Sequence, residues 1–251
     1  VETFRALLAV DAREFSRHRD VQLPELNTEI WRIVEDACER GGIGPVFAAA
    51  PFRQDTGDGL LAILPLEAMA ALADSFPRHL QNVLDESAPD LRTREMRLRL
   101  RAALHVGLVD DRRPRSPGVS TAVVDVCRLL DARPLRDALT TSDPDVTYTA
   151  FLYSAEVFAN YVRGGRTGLR ESQFAEVGAK VKQFDRPAYL YVPKPSRRPD
   201  PGDSPGDGPG EPAPTRPGAG PVVENVRNRS KNSQVFMGNM TGGSIEMNGR
   251  S

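Results

Sequence analysis

Two aspartates near the start of the chain are the residues best placed to do chemistry. Asp11 closes the apolar run Phe4-Arg5-Ala6-Leu7-Leu8-Ala9-Val10 and precedes Ala12-Arg13-Glu14-Phe15-Ser16. Asp58 lies in Asp55-Thr56-Gly57-Asp58-Gly59, with Leu60–Leu64 beyond it. The first run reads as a strand and the second segment as a hairpin tip, because glycine permits tight turns. In a β-α-β-β order that strand and hairpin are neighbours, which brings the two carboxylates together. A converging pair of carboxylates suits Mg²⁺, and a metal pair serves phosphoryl chemistry by activating a hydroxyl and neutralising phosphate charge. The backbone N–H groups of Ala12 to Ser16 would cradle a triphosphate if a helix begins there. Plainer roles stay open: Asp11 as an acid capping a helix start, and Asp58 as a turn residue. His18 and His79 stand alone, and His105 on an alternating run reads as core or edge filler, so no metal cluster is visible.

The elements that must position these acids follow from periodicity. A strand is expected over Phe4–Asp11. A helix follows over Glu25–Arg40, with Leu26, Ile30, Ile33, Val34 and Ala37 on one face and Gly41-Gly42 at its end. The hairpin is expected as Val46–Arg53 and Leu60–Leu64, then a helix over Leu66–Glu86 disturbed at Pro77. A strand over Arg97–Val109 comes next, its Arg97-Leu98-Arg99-Leu100-Arg101 alternation suggesting one polar face. Helices near Thr121–Leu130 and Pro134–Leu139, a strand Val146–Leu152, a helix Ala155–Arg163 and closing strands near Ala175–Phe184 and Ala188–Val192 complete the domain. The core order β-α-β-β-α-β predicts an α/β (α+β) fold of ferredoxin-like type, a mostly antiparallel sheet with helices on one face and added C-terminal strands and helices.

Composition divides the 251 residues into three parts. Residues 1–193 have the periodicity of a folded domain. Residues 194–221 are dominated by Pro, Gly, Asp and Arg and read as a disordered linker with too little apolar surface to offset ordering. Residues 222–251 form a β-prone tail in which Val235, Met237 and Ile245, Met247 alternate around Thr241-Gly242-Gly243-Ser244. Such short arcs gain stability by stacking with copies of themselves; a flexible terminus is the other reading. Net charge is −1, which argues against general nucleic-acid binding. No apolar run reaches the ~20 residues of a membrane span, and a cytoplasmic, non-membrane protein is expected. Cys38 and Cys127, each amid apolar helix neighbours, read as buried thiols rather than a disulfide.

The ordered set of motifs resembles the class III nucleotide cyclases. Asp11 through Phe15-Ser16 resembles their first metal segment, and Gly57-Asp58 their hairpin acid. Leu104-His105-Val106-Gly107 resembles a family strand, Ala122–Leu130 a family helix, and Val177–Lys182 with Ala188–Val192 the terminal strands. Asp55–Gly59, Leu104–Gly107 and Arg128-Leu129-Leu130-Asp131-Ala132 resemble more narrowly a divergent actinobacterial branch from conflict and signalling gene clusters. The tail resembles amyloid-type signalling motifs.

The resemblance implies Asp11 and Asp58 as ligands of Mg or Mn, and a cradle of Ala12, Phe15 and Ser16 for a nucleoside triphosphate. It makes Arg128 the catalytic residue that stabilises phosphate charge in the transition state; a surface or inter-subunit salt bridge is the other reading of Arg128. It also implies a homodimer, and a partner protein carrying a matching C-terminal motif. The departures are as informative. Gln54 stands where a base-reading lysine is expected, no acid occupies Arg115–Gly118, and Val124 replaces a ribose-orienting asparagine. Two functions follow: a signalling protein whose degenerate cyclase-like domain binds Mg-nucleotide or serves only as a scaffold for dimerisation or partner contact, or a Mg- or Mn-dependent nucleotidyl cyclase of altered base choice.

Overall fold

The computed structural model describes residues 1–110 and 118–198, all within the first of two compact units, Val1–Ser204. The expected tail motif, and all but Gly118 of the segment expected to lack a base-reading acid, lie outside the described residues.

Strand β1 runs Thr3–Ala12, followed by helices α1, Leu23–Arg40, and α2, Gly44–Ala48. Strands β2, Phe52–Asp55, and β3, Gly59–Pro65, form the hairpin. Helices α3, Met69–Ala73, and α4, Ser75–Thr93, lead to β4, Leu100–Val109. Then come α5, Thr121–Leu130, α6, Arg133–Thr141, and β5, Thr149–Ser154. Helix α7, Ala155–Val157, continues as π-helical turns over Phe158–Arg163 before β6, Phe174–Val181, and β7, Phe184–Tyr191.

The seven strands form one sheet in the order β2-β3-β1-β4-β5-β7-β6. Only β4 and β5 pair in parallel. The β2-β3-β1-β4 portion is the expected ferredoxin-like unit. Alternation along β1 divides its side chains between two cores. Ala6, Leu8, Val10 and Ala12 pack with α1, α3 and α4. Leu7 and Ala9 pack with α5 and α6 on the opposite face. Helices therefore cover both faces, not one. The added α5 and α6 do this because Leu7, Ala9, Ile63 and Ala103 leave that second face apolar.

Helix α1 buries Leu26, Ile30, Ile33, Val34 and Ala37, the face expected from spacing. Other boundaries moved for physical reasons. Val46–Phe47, expected in a strand, lie in α2, where Pro45 presets the first turn and Phe47 is buried. The Leu66–Glu86 helix breaks at Asp74 (φ −112°, ψ −74°), not at Pro77. Pro77 sits in the first turn of α4, where a missing N–H costs little. The polar face expected over Arg97–Arg101 meets solvent only at Arg97: Arg99 is 9% exposed and Arg101 is largely covered. Cys38 is buried, whereas Cys127 is exposed. Among the described residues no helix is long and apolar enough to cross a membrane.

Candidate functional site

The register of β1 places Asp11 opposite Gly59 of β3 and opposite Arg101 of β4. Glycine is required at 59. A Cβ there would lie 2.0 Å from the Val10 carbonyl oxygen and 2.8 Å from the Asp11 Cα. This close approach lets the Ala12 N–H donate to the Asp58 carbonyl at 2.8 Å, so the two acids meet. The hairpin tip is held from both sides. Gly57 adopts φ +89°, and Asp55 Oδ1 accepts from its N–H at 2.7 Å. From α1, Asn27 Nδ2 donates to Asp55 Oδ1 at 3.0 Å and Trp31 Nε1 to Asp55 Oδ2 at 3.1 Å. Asp55 is thus a positioning residue that appears in the sequence only as one more turn acid.

Arg101 pairs with Asp11, both guanidinium contacts going to Oδ2, with Nε at 3.0 Å. The side chains are 13% and 16% exposed. Burial raises the Asp11 pKa to about 6; the hydrogen bond and charge of Arg101 oppose the rise, and Asp58 adds to it through charge and hydrogen bonding. A half-buried acid pair with one cation beside it disfavours two free negative charges. The Arg101 Nη1 is buried without a hydrogen-bond partner, a donor available to a ligand oxygen.

The expected amide cradle is narrower than its sequence range. The Ala12 N–H is taken by Asp58 and the Arg13 N–H donates to the Arg99 carbonyl at 2.8 Å. Among the described residues, the N–H groups of Glu14, Phe15 and Ser16 have no such acceptor. Glu14 has φ 61°, a left-handed conformation that costs a non-glycine residue about 1 kcal/mol or more. A single 3₁₀ turn over Phe15–Arg17 follows instead of a long helix. The Ala12 side chain is buried and Phe15 packs on the core, so these two offer backbone, not side chains.

Gln54 is exposed on β2 opposite Leu61. Arg128 is half-buried on α5, and among the described residues nothing joins it to Asp11 or Asp58. Four residues earlier, Val124 is 44% exposed on the same outward side. Gly107 explains the position of this helix: a Cβ there would lie 2.5 Å from the Ala122 Cβ.

Asp11 and Asp58 fit a hard divalent cation. Both are oxygen donors, and Arg101 engages only one oxygen of Asp11, leaving Oδ1. Among the described residues no group of three or more His, Cys, Asp or Glu could hold a metal by itself, so such an ion would draw further oxygens from phosphate and water, as Mg²⁺ commonly does.

No protein-family profile matches the chain, and no curated protein is significantly similar to it. Solved structures do match. The fold is shared with nucleotide cyclases. The guanylyl cyclase Cya2 superposes with a TM-score of 0.54 at 12% identity, over 76% of this chain and 92% of that one. An adenylate/guanylate cyclase/hydrolase from Silicibacter pomeroyi gives 0.51 at 20% identity, over 80% and 99%. A bacterial light-regulated adenylyl cyclase gives 0.51 at 15% identity, over 78% and 93%. At these identities the likeness establishes a cyclase-like fold and nothing about activity.

Proposed function

We propose that this cyclase-like domain binds a nucleoside triphosphate complexed with Mg²⁺ or Mn²⁺, with the phosphate end at Asp11 and Asp58. The observation that carries the reading is the convergence of these acids at one end of β1 and β3, beside the spare Arg101 donor. Asp11 and Asp58 would hold the metal, which supplies charge neutralisation at phosphate when bound. The amides of Glu14, Phe15 and Ser16 would receive phosphate oxygens, and Arg101 would add a charge-assisted hydrogen bond.

Recognition of the base is where the site is poor. Gln54 is exposed and uncharged, and Val124 offers no hydrogen bond to a ribose. Cyclisation needs the 3′-hydroxyl in line with the α-phosphorus, and misplacement by about 1 Å costs on the order of 100-fold. Binding without efficient cyclisation is therefore the preferred reading. In this proposal the domain serves a homodimeric signalling or conflict-system protein in the cytoplasm. Its C-terminal tail would self-assemble or recruit a partner with a matching motif. In the second reading, an active cyclase of altered base choice, Arg128 of one subunit would stabilise phosphate charge at the site of the other; its place on the outward side of α5, with no ion pair among the described residues, favours that arrangement.

Calorimetry with each nucleoside triphosphate and Mn²⁺, beside Asp58→Asn and with mass spectrometry for cyclic product, tests both. Binding that is lost in Asp58→Asn, with no cyclic product, is expected. Product that vanishes in the variant would establish the second reading, and absence of any nucleotide binding would overturn both. A peptide spanning residues 232–249 that stays monomeric at high concentration would remove the assembly role of the tail.

A further inference from the structure

Beside the carboxylate pair, at the ends of β1, β4 and β5, lies a cavity of about 590 Å³ whose lining includes neither Asp11, Asp58 nor Arg101. Six arginines line it against two glutamates. In a chain of net charge −1, this is a local concentration of positive charge.

The arrangement of two of these arginines is costly as it stands. Arg13 Nη1 and Arg99 Nη1 both donate to the Leu139 carbonyl oxygen, at 2.8 and 2.7 Å. Two cations thus converge on one neutral acceptor. Arg99 is 9% exposed, and its remaining bonds go to the Thr147 carbonyl at 2.9 Å and the Ser142 hydroxyl at 2.7 Å. Among the described residues no carboxylate pairs with it. Burial, then the charge of Arg13, pull its pKa down to about 10, consistent with a cation short of a counter-charge. A buried charge without an opposite partner is expensive.

Among the described residues no nearby acid bonds to Arg99: Glu14 and Asp143 only oppose the fall of its pKa through their charge, and Asp145 is taken by Arg92 and Arg97 at 2.9 and 3.5 Å. Glu14 is shared by Arg13 and Arg17 at 2.8 and 3.3 Å, and Glu95 pairs outward with Arg19. The cavity floor is nevertheless well fixed. His18 Nε2 accepts from the Arg97 N–H at 3.2 Å, which makes its Nδ1 the donor to the Phe15 carbonyl at 3.1 Å. The Arg198 N–H donates to the Thr141 carbonyl at 2.9 Å, bringing a residue of the Pro- and Arg-rich segment to the rim.

We propose that this cavity is a second, metal-independent site, for the phosphoryl groups of a small polyphosphorylated ligand. A guanidinium fork matches a phosphate bidentately. A concave space of this size suits a small molecule better than an extended nucleic-acid backbone. An anion between Arg13 and Arg99 removes their mutual repulsion, so ligand-free protein bears a cost that the complex does not. The site adjoins the proposed metal–nucleotide site at Glu14, which lines the cavity and lends its amide to that proposed cradle, but its arginine side chains are different ones and it needs no cation.

The test is titration of the full chain with inorganic tripolyphosphate in excess chelator, followed by calorimetry. One-to-one binding is expected. Arg13→Ala and Arg97→Ala should each weaken it about tenfold or more, while Asp58→Asn and Arg101→Gln leave it unchanged. Circular dichroism of each variant separates lost binding from lost folding. If a variant does not fold, the milder Arg17→Gln at the rim is read instead, with about a threefold weakening expected. No binding in chelator would overturn the proposal. So would binding that is lost in Arg101→Gln while the Arg13 and Arg97 variants bind normally, because the anion would then belong to the carboxylate site. A non-saturating uptake unaffected by any cavity variant would overturn it as well.

Discussion

The carboxylate pair and the arginine cavity share one end of the sheet but are assembled differently. The acids are brought together by backbone contact. β1 and β3 are neighbours in register, and Gly59 lets them approach until Ala12 bonds to Asp58. The arginines come from segments far apart in sequence, and Arg13 and Arg99 are held by side-chain bonds, Arg99 spanning to the carbonyls of residues 139 and 147 and the Ser142 hydroxyl. The acids also carry their own counter-ion in Arg101, whereas among the described residues no carboxylate pairs with Arg99. One region is set by strand register and pairs one of its acids with a cation; the other is assembled by side chains and, among the described residues, leaves Arg99 without a paired carboxylate.

This contrast can be broken at its strongest point first. Gly59→Val puts a side chain into the Val10 carbonyl, a backbone clash that the hairpin cannot absorb without moving. We expect a loss of about 3 kcal/mol or more in chemical denaturation. Any folded fraction should lose divalent-cation binding yet keep tripolyphosphate binding; loss of both would mean the regions are one unit.

The converse variant is Gln81→Leu. Gln81 is 2% exposed, donates to the Val146 carbonyl at 3.0 Å, and accepts from the Tyr148 and Thr149 N–H groups at 2.9 and 3.2 Å. Removing it strands three buried backbone groups, at a cost of about 3 kcal/mol. Because it anchors the chain on either side of Thr147, the arginine cavity should weaken more than the carboxylate site, as paired anion and cation titrations would read.

A smaller effect separates the sites by pH. Asp11 is raised from its ordinary 3.8 to about 6 by burial, against the opposing influence of Arg101. The folded state thus holds this proton more tightly than the unfolded chain. Its contribution to stability is present below about pH 4 and declines as pH rises through about 6. Asp11→Asn lacks this dependence. Between pH 4 and 7 the variant should gain on the parent by on the order of 2 kcal/mol, measured by urea titration in chelator; a constant difference would contradict the assigned burial. The smallest expected effect is at Asp55→Ala, which removes exposed bonds to Gly57, Asn27 and Trp31. A loss of about 1 kcal/mol is expected, with cation affinity falling more than stability because the hairpin tip loosens around Asp58.

How much was legible in the sequence follows the same division. The faces of α1 and of α5 over Thr121–Leu130 could be read from periodicity, because each records a single buried face, and the first strand from its continuous apolar run, which is buried on both faces. The Gly-Asp-Gly tip could be read because turn chemistry is local. Phe47 could not be placed, since an apolar residue fits a strand or a helix until its neighbours are known. Arg99 was hidden for the same reason: alternation with leucine suggests an exposed face, and α6 with the segment after it, through Ser142 and Thr147, bonds over it. The pairing of Arg101 with Asp11 spans 90 residues and leaves no local trace.

The sequence by itself determined the α+β class, the β-α-β-β-α-β order and the neighbouring acids, because hydrophobic period and turn residues act within a few positions. The tertiary structure alone decided that helices cover both faces of the sheet and that Arg101 shares Asp11. It also decided that Arg13 and Arg99 converge on Leu139. Those outcomes depend on which distant surfaces exclude water together, and burial is a property of the assembled chain.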